Sequence, residues 1–176
     1  MSRLVDDVRS VLEGAEFATF LPRPDSLALH FEDISVLGHV HVLDAADEIL
    51  ANWQVIQDDF LRANASRFMR DTTKAWNLYT ILLTSETPAP NVAARLFAVE
   101  DDFRGTRKIA RAGVVSREDV MSALAPILPL NNVLAVGLVD AKQRLLERLG
   151  AVTPILRSLA TGAATEAIAA SLLGTE

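Results

Sequence analysis

Two adjoining runs decide the fold of this chain: ISVLGHVHVL at residues 34–43 and DAADEILANWQVIQDDF at residues 44–60. The first is rich in β-branched and aliphatic residues and predicts a strand over Ile34–Leu43. In the second, Asp44 with Asp47 three residues later matches a helix N-cap and its capping-box partner. A single apolar stripe follows at helical spacing: Ala46, Ile49, Leu50, Trp53, Ile56 and Phe60. We therefore predict a long amphipathic helix over about 45–67 that packs on a sheet.

The residues before this stretch predict one helix and two more strands. Apolar residues recur at three- and four-residue spacing near the start, as expected for a helix: Leu4, Val5, Val8, Val11 and Leu12. Gly14 is suited to end that helix. Short β-type runs at 16–21 and 27–31 then precede the strand at 34–43, separated by short turns. We expect these three strands to form an antiparallel meander.

The residues after the long helix predict further strands. The run 76–84 is rich in aromatic and β-branched residues and indicates a buried strand, with residues 86–90 as the turn after it. Arg95–Val99 predicts another strand, for which a helix over 92–97 is the competing interpretation.

From Ser116 the pattern becomes helical. Ser116 with Asp119, Asp140 with Gln143, and Thr153 before Pro154 are three separate helix-start signals. Residues 133–139 are compatible with either a strand or a helix, and the alanine-rich tail after Gly162 with a weakly amphipathic last helix. We therefore predict one α+β domain of 176 residues, with an α/β core over 1–111 and a mainly helical part over 112–176.

Composition narrows the class of protein. The chain contains no cysteine, which excludes disulfides, thiolate metal ligands and cysteine nucleophiles. Neither a secretory signal nor an apolar run of membrane-spanning length is visible in the sequence. The expected location is the cytoplasm, without membrane contact.

Charge is distributed unevenly along the chain. The formal net charge is −6, but residues 67–111 hold 8 basic and 5 acidic side chains, whereas residues 1–66 hold 4 and 12. Overall acidity argues against binding nucleic acid with the whole surface, so we expect nucleic acid as a partner only within a larger complex. The basic segment is where an acidic partner could bind.

Within this segment seven basic residues are candidates for partner binding: Arg67, Arg70, Lys74, Arg104, Arg107, Lys108 and Arg111. The alternative is an internal ion-pair network with the neighbouring carboxylates, together with a solvated face. Four aromatic residues accompany them as motif or core positions: Trp53, Trp76, Tyr79 and Phe103. Trp76 and Tyr79 could anchor a partner, although a core position is the preferred interpretation for both.

No catalytic constellation is complete in the sequence. His39 and His41 project from the same face of a strand and, with His30 and Asp33 or Asp44, form the best candidate for a metal site. No HExxH, nucleophile elbow or phosphate-binding loop is present to support catalysis. Half-exposed strand histidines are the simpler interpretation. We therefore predict no catalytic residues, no metal and no cofactor.

The predicted order of a helix, three antiparallel strands, a helix and a strand resembles the core of the restriction-endonuclease-like fold. The run Ile34–Leu43 lacks the [DE]-x-Lys that metal-dependent phosphodiester hydrolysis requires, and Pro24-Asp25 is only a nominal match to the other part of that site. A degenerate core of this type agrees with the predicted fold. A metal-dependent hydrolase or degenerate nuclease that uses His39 and His41 is the alternative function.

Two motifs carry a second resemblance. The motifs are RDTTKAWNLY at 70–79, followed by Glu86, and VEDDFRGTRKI at 99–109. Together with Trp53, they resemble the pattern of the middle components of bacterial ABC-three-component systems. These systems include relatives of the Lamassu defence systems. The resemblance covers about residues 14–130. It implies a non-catalytic adaptor that links an SMC/ABC-type ATPase to an effector in defence against phages or plasmids.

Overall fold

A computed structural model describes residues 3–23, 26–68 and 72–129 of the chain. Helices and strands follow the order α1 (Arg3–Gly14), β1 (Ala18–Phe20), β2 (Ala28–Glu32), β3 (Leu37–Val42), α2 (Ala46–Phe68), α3 (Thr72–Ala75), β4 (Leu78–Leu83), α4 (Pro90–Glu100), β5 (Arg107–Arg111) and α5 (Arg117–Leu124). The predicted α+β class is confirmed. The first helix, the meander and the long helix all lie in the predicted segments, although β3 begins at Leu37 and not at the predicted Ile34.

One five-stranded mixed sheet, in the order β1-β2-β3-β4-β5, forms the centre of the described residues. β1, β2 and β3 are antiparallel neighbours, whereas β4 and β5 run parallel to β3. Parallel neighbours need a crossover connection, and α2 and α4 provide the two crossovers.

Helices lie on both faces of the sheet. On one face Ala46 and Ile49 of α2 pack with Leu82 of β4, Leu96 of α4 and Ala110 of β5. α1 contacts β1, β2 and α5. His30 of β2 lies beside Phe60 of α2, so its buried neighbours Leu29 and Phe31 point to the other face, which α1 covers through its contacts with β1 and β2.

Gly38 is required by close packing within the meander. It is the register partner of Phe31, whose side chain is fully buried. A Cβ atom at position 38 would come within 2.3 Å of the Phe31 ring. Glycine therefore makes room for an aromatic side chain that lies over its backbone.

The prediction of a strand at Arg95–Val99 is wrong, and the competing prediction of a helix over 92–97 is confirmed. α4 begins at Pro90, which suits a first-turn position, and it buries Leu96 and Val99 three residues apart. The helix start at Ser116 is also confirmed, since the Ser116 hydroxyl accepts from the Asp119 N–H at 3.1 Å. β5 occupies a segment for which the sequence predicted only a basic cluster.

Several sequence predictions lie outside the described residues. They are the helix starts at Asp140 and Thr153, the ambiguous run 133–139, the alanine-rich tail, Pro24-Asp25 and the candidate Arg70. Within the part of the chain that the structure describes, no helix is both long and apolar enough to cross a membrane.

Candidate protein-docking surface

The three parallel strands β3, β4 and β5 begin side by side at one end of the sheet. We call this end, where their N-termini lie, the amino edge. Leu37 of β3 is the register partner of Leu78 of β4, and Tyr79, one residue later, is the partner of Arg107 of β5. Neighbouring strands lie about 4.8 Å apart, so β3 and β5 are separated by about 10 Å. The segments that lead into the three strands are therefore neighbours.

Each entering segment exposes one large hydrophobic side chain. Ile34 is 88% exposed, Trp76 is 82% exposed and Phe103 is 80% exposed, the three highest values for large hydrophobic side chains among the described residues. Single exposed apolar residues are ordinary, but three in neighbouring strand-entry segments make this end of the sheet a candidate interaction site. We call these three side chains the amino-edge surface.

Ile34 lies at the tip of a tight β2–β3 turn. The Asp33 carboxylate accepts hydrogen bonds from the backbone N–H groups of Ser35 at 2.7 Å and Val36 at 2.5 Å. The Asp33 N–H also donates to the Val36 carbonyl at 3.0 Å. The prediction that Ile34 starts the third strand is therefore wrong, because pairing begins at Leu37. The Asp-x-Ser pattern of an Asx turn is the sequence signal that would have identified it.

Trp76 follows a cluster of three charged residues that joins α2, α3 and β2. One oxygen of Glu32 accepts from the Arg67 guanidinium at 2.5 Å and from Lys74 Nζ at 2.9 Å. Lys74 and Arg67 together hold the pKa of Glu32 below its usual value. The Asn77 N–H donates to the Lys74 carbonyl at 3.1 Å, which closes the turn containing Trp76.

Phe103 lies in a short loop whose backbone is held by its neighbours. The Asp102 carboxylate accepts from the Arg104 N–H at 2.8 Å and from the Arg104 guanidinium at 2.6 Å. These hydrogen bonds hold the pKa of Asp102 well below its usual value. Gly105 has a φ of +77°, which glycine adopts without strain, and it turns the chain toward β5.

Lys108 holds the same loop by donating hydrogen bonds to its backbone carbonyls. Its buried Nζ donates to the Asp102 carbonyl at 2.7 Å and the Arg104 carbonyl at 2.5 Å, and lies 3.2 Å from the Asp102 carboxylate. It also lies 5.2 Å from the centre of the Trp53 ring, within cation–π range. Burial lowers the pKa of Lys108, and the Asp102 carboxylate opposes that shift.

A buried chain of polar side chains joins the loop to the centre of the sheet. His39 Nε2 lies 2.8 Å from the Thr80 hydroxyl, which lies 2.8 Å from the Thr106 hydroxyl. The Thr106 hydroxyl is 3.0 Å from Gln57 Oε1, and the Thr106 N–H donates to the same oxygen. A Cβ atom at Gly105 would come within 2.9 Å of Gln57 Nε2. The start of β5 is therefore tied to β3, β4 and α2.

The structure describes six of the seven basic candidates, all except Arg70. Five of them pair with carboxylates: Arg67 and Lys74 with Glu32, Arg104 and Lys108 with Asp102, and Arg111 with Glu100. Arg107 donates to the Tyr79 hydroxyl at 3.3 Å, and its guanidinium lies 5.9 Å from the centre of the Tyr79 ring. The ion pairs of the alternative interpretation are thus present, while the partner-binding role of these residues stays a prediction.

The four aromatic candidates divide into two pairs. Tyr79 is buried, and the half-buried Trp53 packs against the core beneath α2, in agreement with core positions. The core position preferred for Trp76 is wrong, because Trp76 lies in a turn before strand pairing begins. Phe103, expected at a motif or core position, lies outside the core in the loop before β5. A strand-entry position at the sheet edge leaves their side chains in solvent.

The histidines lie between the sheet and α2. His39 is buried and stacks on Phe60 with ring centres 4.1 Å apart, so half exposure was the wrong expectation for it. The His30 and His41 rings lie 6.0 and 5.0 Å from the His39 ring. Burial lowers the pKa of all three, that of His41 to about 4. Among the described residues, no group of three or more His, Asp or Glu side chains could hold a metal ion.

Comparisons of the chain with protein-family models, curated proteins and solved structures find no match.

Proposed function

We propose that this chain is a non-catalytic adaptor subunit that binds a partner protein through its amino-edge surface. The observation that carries the proposal is the exposure of Ile34, Trp76 and Phe103 on three hydrogen-bonded turns at one edge of the sheet. Tryptophan and arginine are over-represented among the residues that dominate protein–protein affinity. Turns that are already ordered lose little conformational entropy on binding, which favours a docking role.

The resemblance described above supplies the proposed partners. An SMC/ABC-type ATPase and an effector of a defence system against phages or plasmids would bind this subunit in the cytoplasm, and nucleic acid would contact it only within that complex. Trp76 belongs to the 70–79 motif and Phe103 to the 99–109 motif. The two strongest parts of the resemblance therefore each contribute one residue to the same surface, which supports a shared role for them.

Co-expression with the products of the neighbouring genes, which the proposal expects to be an SMC/ABC-type ATPase and an effector, tests the proposal. We expect the three proteins to co-purify, and the Trp76→Ala/Phe103→Ala double variant to lose the complex while keeping its own melting temperature. Val115→Ala is the matched control, since Val115 is 66% exposed and precedes α5 at the opposite edge of the sheet. A complex that forms equally well with the double variant would contradict the proposed surface.

The alternative function, a metal-dependent hydrolase or degenerate nuclease using His39 and His41, has less support. His39 Nε2 already has the Thr80 hydroxyl as a partner, and one face of the ring is covered by Phe60. Incubation of the purified chain with DNA and Mg²⁺, Mn²⁺ or Zn²⁺ is the direct assay. Cleavage that is lost in a His41→Ala variant would replace the adaptor proposal with this one.

A further inference from the structure

We infer that a one-way chain of hydrogen bonds holds His39 in its Nε2–H tautomer and couples that histidine to the loop before β5. The chain runs from the His39 ring through the hydroxyl groups of Thr80 and Thr106 to the side-chain amide of Gln57 on α2. All four side chains are buried. The inference goes beyond the proposed docking function and does not depend on it.

The direction of the chain is set at its Gln57 end. The backbone N–H of Thr106 donates to the facing atom of the Gln57 amide at 3.2 Å, and also to the Arg104 carbonyl at 3.0 Å. An N–H group donates only to an acceptor, so this facing atom is Oε1. The Gln57 Nε2 atom lies instead against Gly105, where a Cβ atom would come within 2.9 Å of it. An amide oxygen has no proton to give, so the Thr106 hydroxyl, 3.0 Å away, is the donor in that bond.

A threonine hydroxyl has one proton, and this fixes the two remaining bonds. Because Thr106 gives its proton to Gln57, its oxygen accepts from the Thr80 hydroxyl, 2.8 Å away. Thr80 has then used its own proton, so its oxygen accepts from His39 Nε2 at 2.8 Å. The opposite direction would leave the Thr106 and Gln57 oxygens 3.0 Å apart with no proton between them. The neutral His39 ring therefore carries its proton on Nε2 and has an unprotonated Nδ1.

The surroundings of His39 keep the ring neutral, so that the position of its single proton is well defined. Phe60 stacks on the ring with centres 4.1 Å apart, and the His41 and His30 rings lie 5.0 and 6.0 Å away. Burial, and then the neighbouring His41 and His30, lower the pKa of His39 well below its usual value. The Arg67 cation acts in the same direction on the pKa of His30. A second proton on His39 would place a cation in this buried group of rings.

The chain makes the histidine and the loop before β5 respond to each other. Hydrogen bonds in a chain polarise one another, so loss of the last acceptor weakens the earlier bonds. A movement of α2 or of the loop that separates Gln57 from Thr106 removes that acceptor. The bond that holds the proton on His39 Nε2 then weakens as well. Gln57 is thus a positioning residue that acts on the His39 proton through two hydroxyl groups.

NMR spectroscopy of the full chain with isotope-labelled histidine tests the inference near neutral pH. We expect the nitrogen signals of His39 to identify Nε2 as protonated and Nδ1 as unprotonated. Gln57→Met keeps the length of the side chain without the amide oxygen, and Thr106→Val keeps the shape without the hydroxyl. Each variant should speed the exchange of the His39 Nε2–H proton with water by about tenfold. Thr106→Ser, which restores the hydroxyl, should return the rate toward that of the wild type.

Thr84→Val is the matched control. The buried Thr84 hydroxyl donates to the Asp44 carbonyl at 3.0 Å and takes no part in the chain, so its loss should leave the His39 tautomer and exchange rate unchanged. A wild-type His39 ring protonated on Nδ1 would overturn the inference outright. Exchange rates in Gln57→Met and Thr106→Val within about twofold of the Thr84→Val rate would overturn the coupling. The tautomer is measured on the unmodified chain, so it is decided even where a variant does not fold.

Discussion

Replacing Lys108 with methionine tests whether the loop that presents Phe103 depends on one buried ammonium group. Methionine has similar length and can pack against the Trp53 ring, but it donates no hydrogen bond. The change leaves the Asp102 and Arg104 carbonyls without the donor that now lies 2.7 and 2.5 Å away. It also removes the contact with the Trp53 ring.

The expected loss follows from these contacts. A partly buried carbonyl without a partner costs about 1 kcal/mol or somewhat more, and the lost cation–π contact adds about 0.5–1 kcal/mol. Burying a thioether instead of an ammonium recovers part of that loss, while the Asp102 carboxylate keeps Arg104 as its partner. We therefore expect Lys108→Met to lower the free energy of unfolding by about 2–3 kcal/mol.

Urea unfolding measures this loss, and hydrogen exchange localises it. Backbone N–H groups of residues 102–106 should exchange faster in the variant, and trypsin should cleave sooner after Arg104. Lys74→Met is the matched control, because it removes one ion pair to Glu32 at the other cluster and should leave exchange in 102–106 unchanged. Unfolding within 0.5 kcal/mol of wild type, with unchanged exchange in this loop, would refute the reasoning.

Two further predictions concern the core. Gly38→Ala should lower the free energy of unfolding by about 1–3 kcal/mol through its clash with Phe31, and Phe31→Leu in the same chain should recover part of that loss; additive losses in urea unfolding would contradict the clash. Burial lowers the pKa of His30, His39 and His41, so the unfolded chain binds more protons than the folded chain below about pH 6.5. The free energy of unfolding should therefore be highest above about pH 6.5 and fall toward pH 4. The expected slope is up to about 1.4 kcal/mol per pH unit for each histidine. Unfolding free energies at pH 7.5, 6 and 5 measure this slope, which a His41→Gln variant should reduce.

Elements with strong periodicity and local end signals are the ones that the sequence predicted. α2 has a continuous apolar stripe, and α5 has a Ser116–Asp119 capping box that needs no distant contact to form. The meander has short turns, so its pairing is also local. In each case the information lies within a few residues of the element itself.

The remaining elements depend on contacts between distant residues. β5 has the sequence Arg-Lys-Ile-Ala-Arg. Its second residue, Lys108, is buried because loop carbonyls and Asp102 surround its ammonium group. Residues 95–99 are apolar enough for a strand, but Pro90 begins a helix upstream and Leu96 with Val99 faces the core. Whether such a short apolar run forms a strand or a helix depends on tertiary packing, which the local sequence pattern does not reveal.

The exposure of Trp76 at the candidate site also depends on contacts between distant residues, which local sequence patterns do not show. An aromatic residue two positions before Leu78–Leu83 is expected to extend the strand and enter the core. Its position in solvent follows from the register between β3 and β4, which starts pairing at Leu37 and Leu78. The sequence could therefore suggest Trp76 as an anchor, but only the sheet brings it beside Ile34 and Phe103.

An ion-pair network and a docking surface, which the sequence presented as alternatives, are compatible in this fold. The pairs formed by Glu32 and Asp102 hold the ends of the segments that carry Trp76 and Phe103. Exposed pairs alone stabilise a protein little, so their larger effect here is on the geometry of the turns. A charge reversal at Arg104 should accordingly weaken binding more than it weakens folding, whereas loss of the buried Lys108 should weaken both.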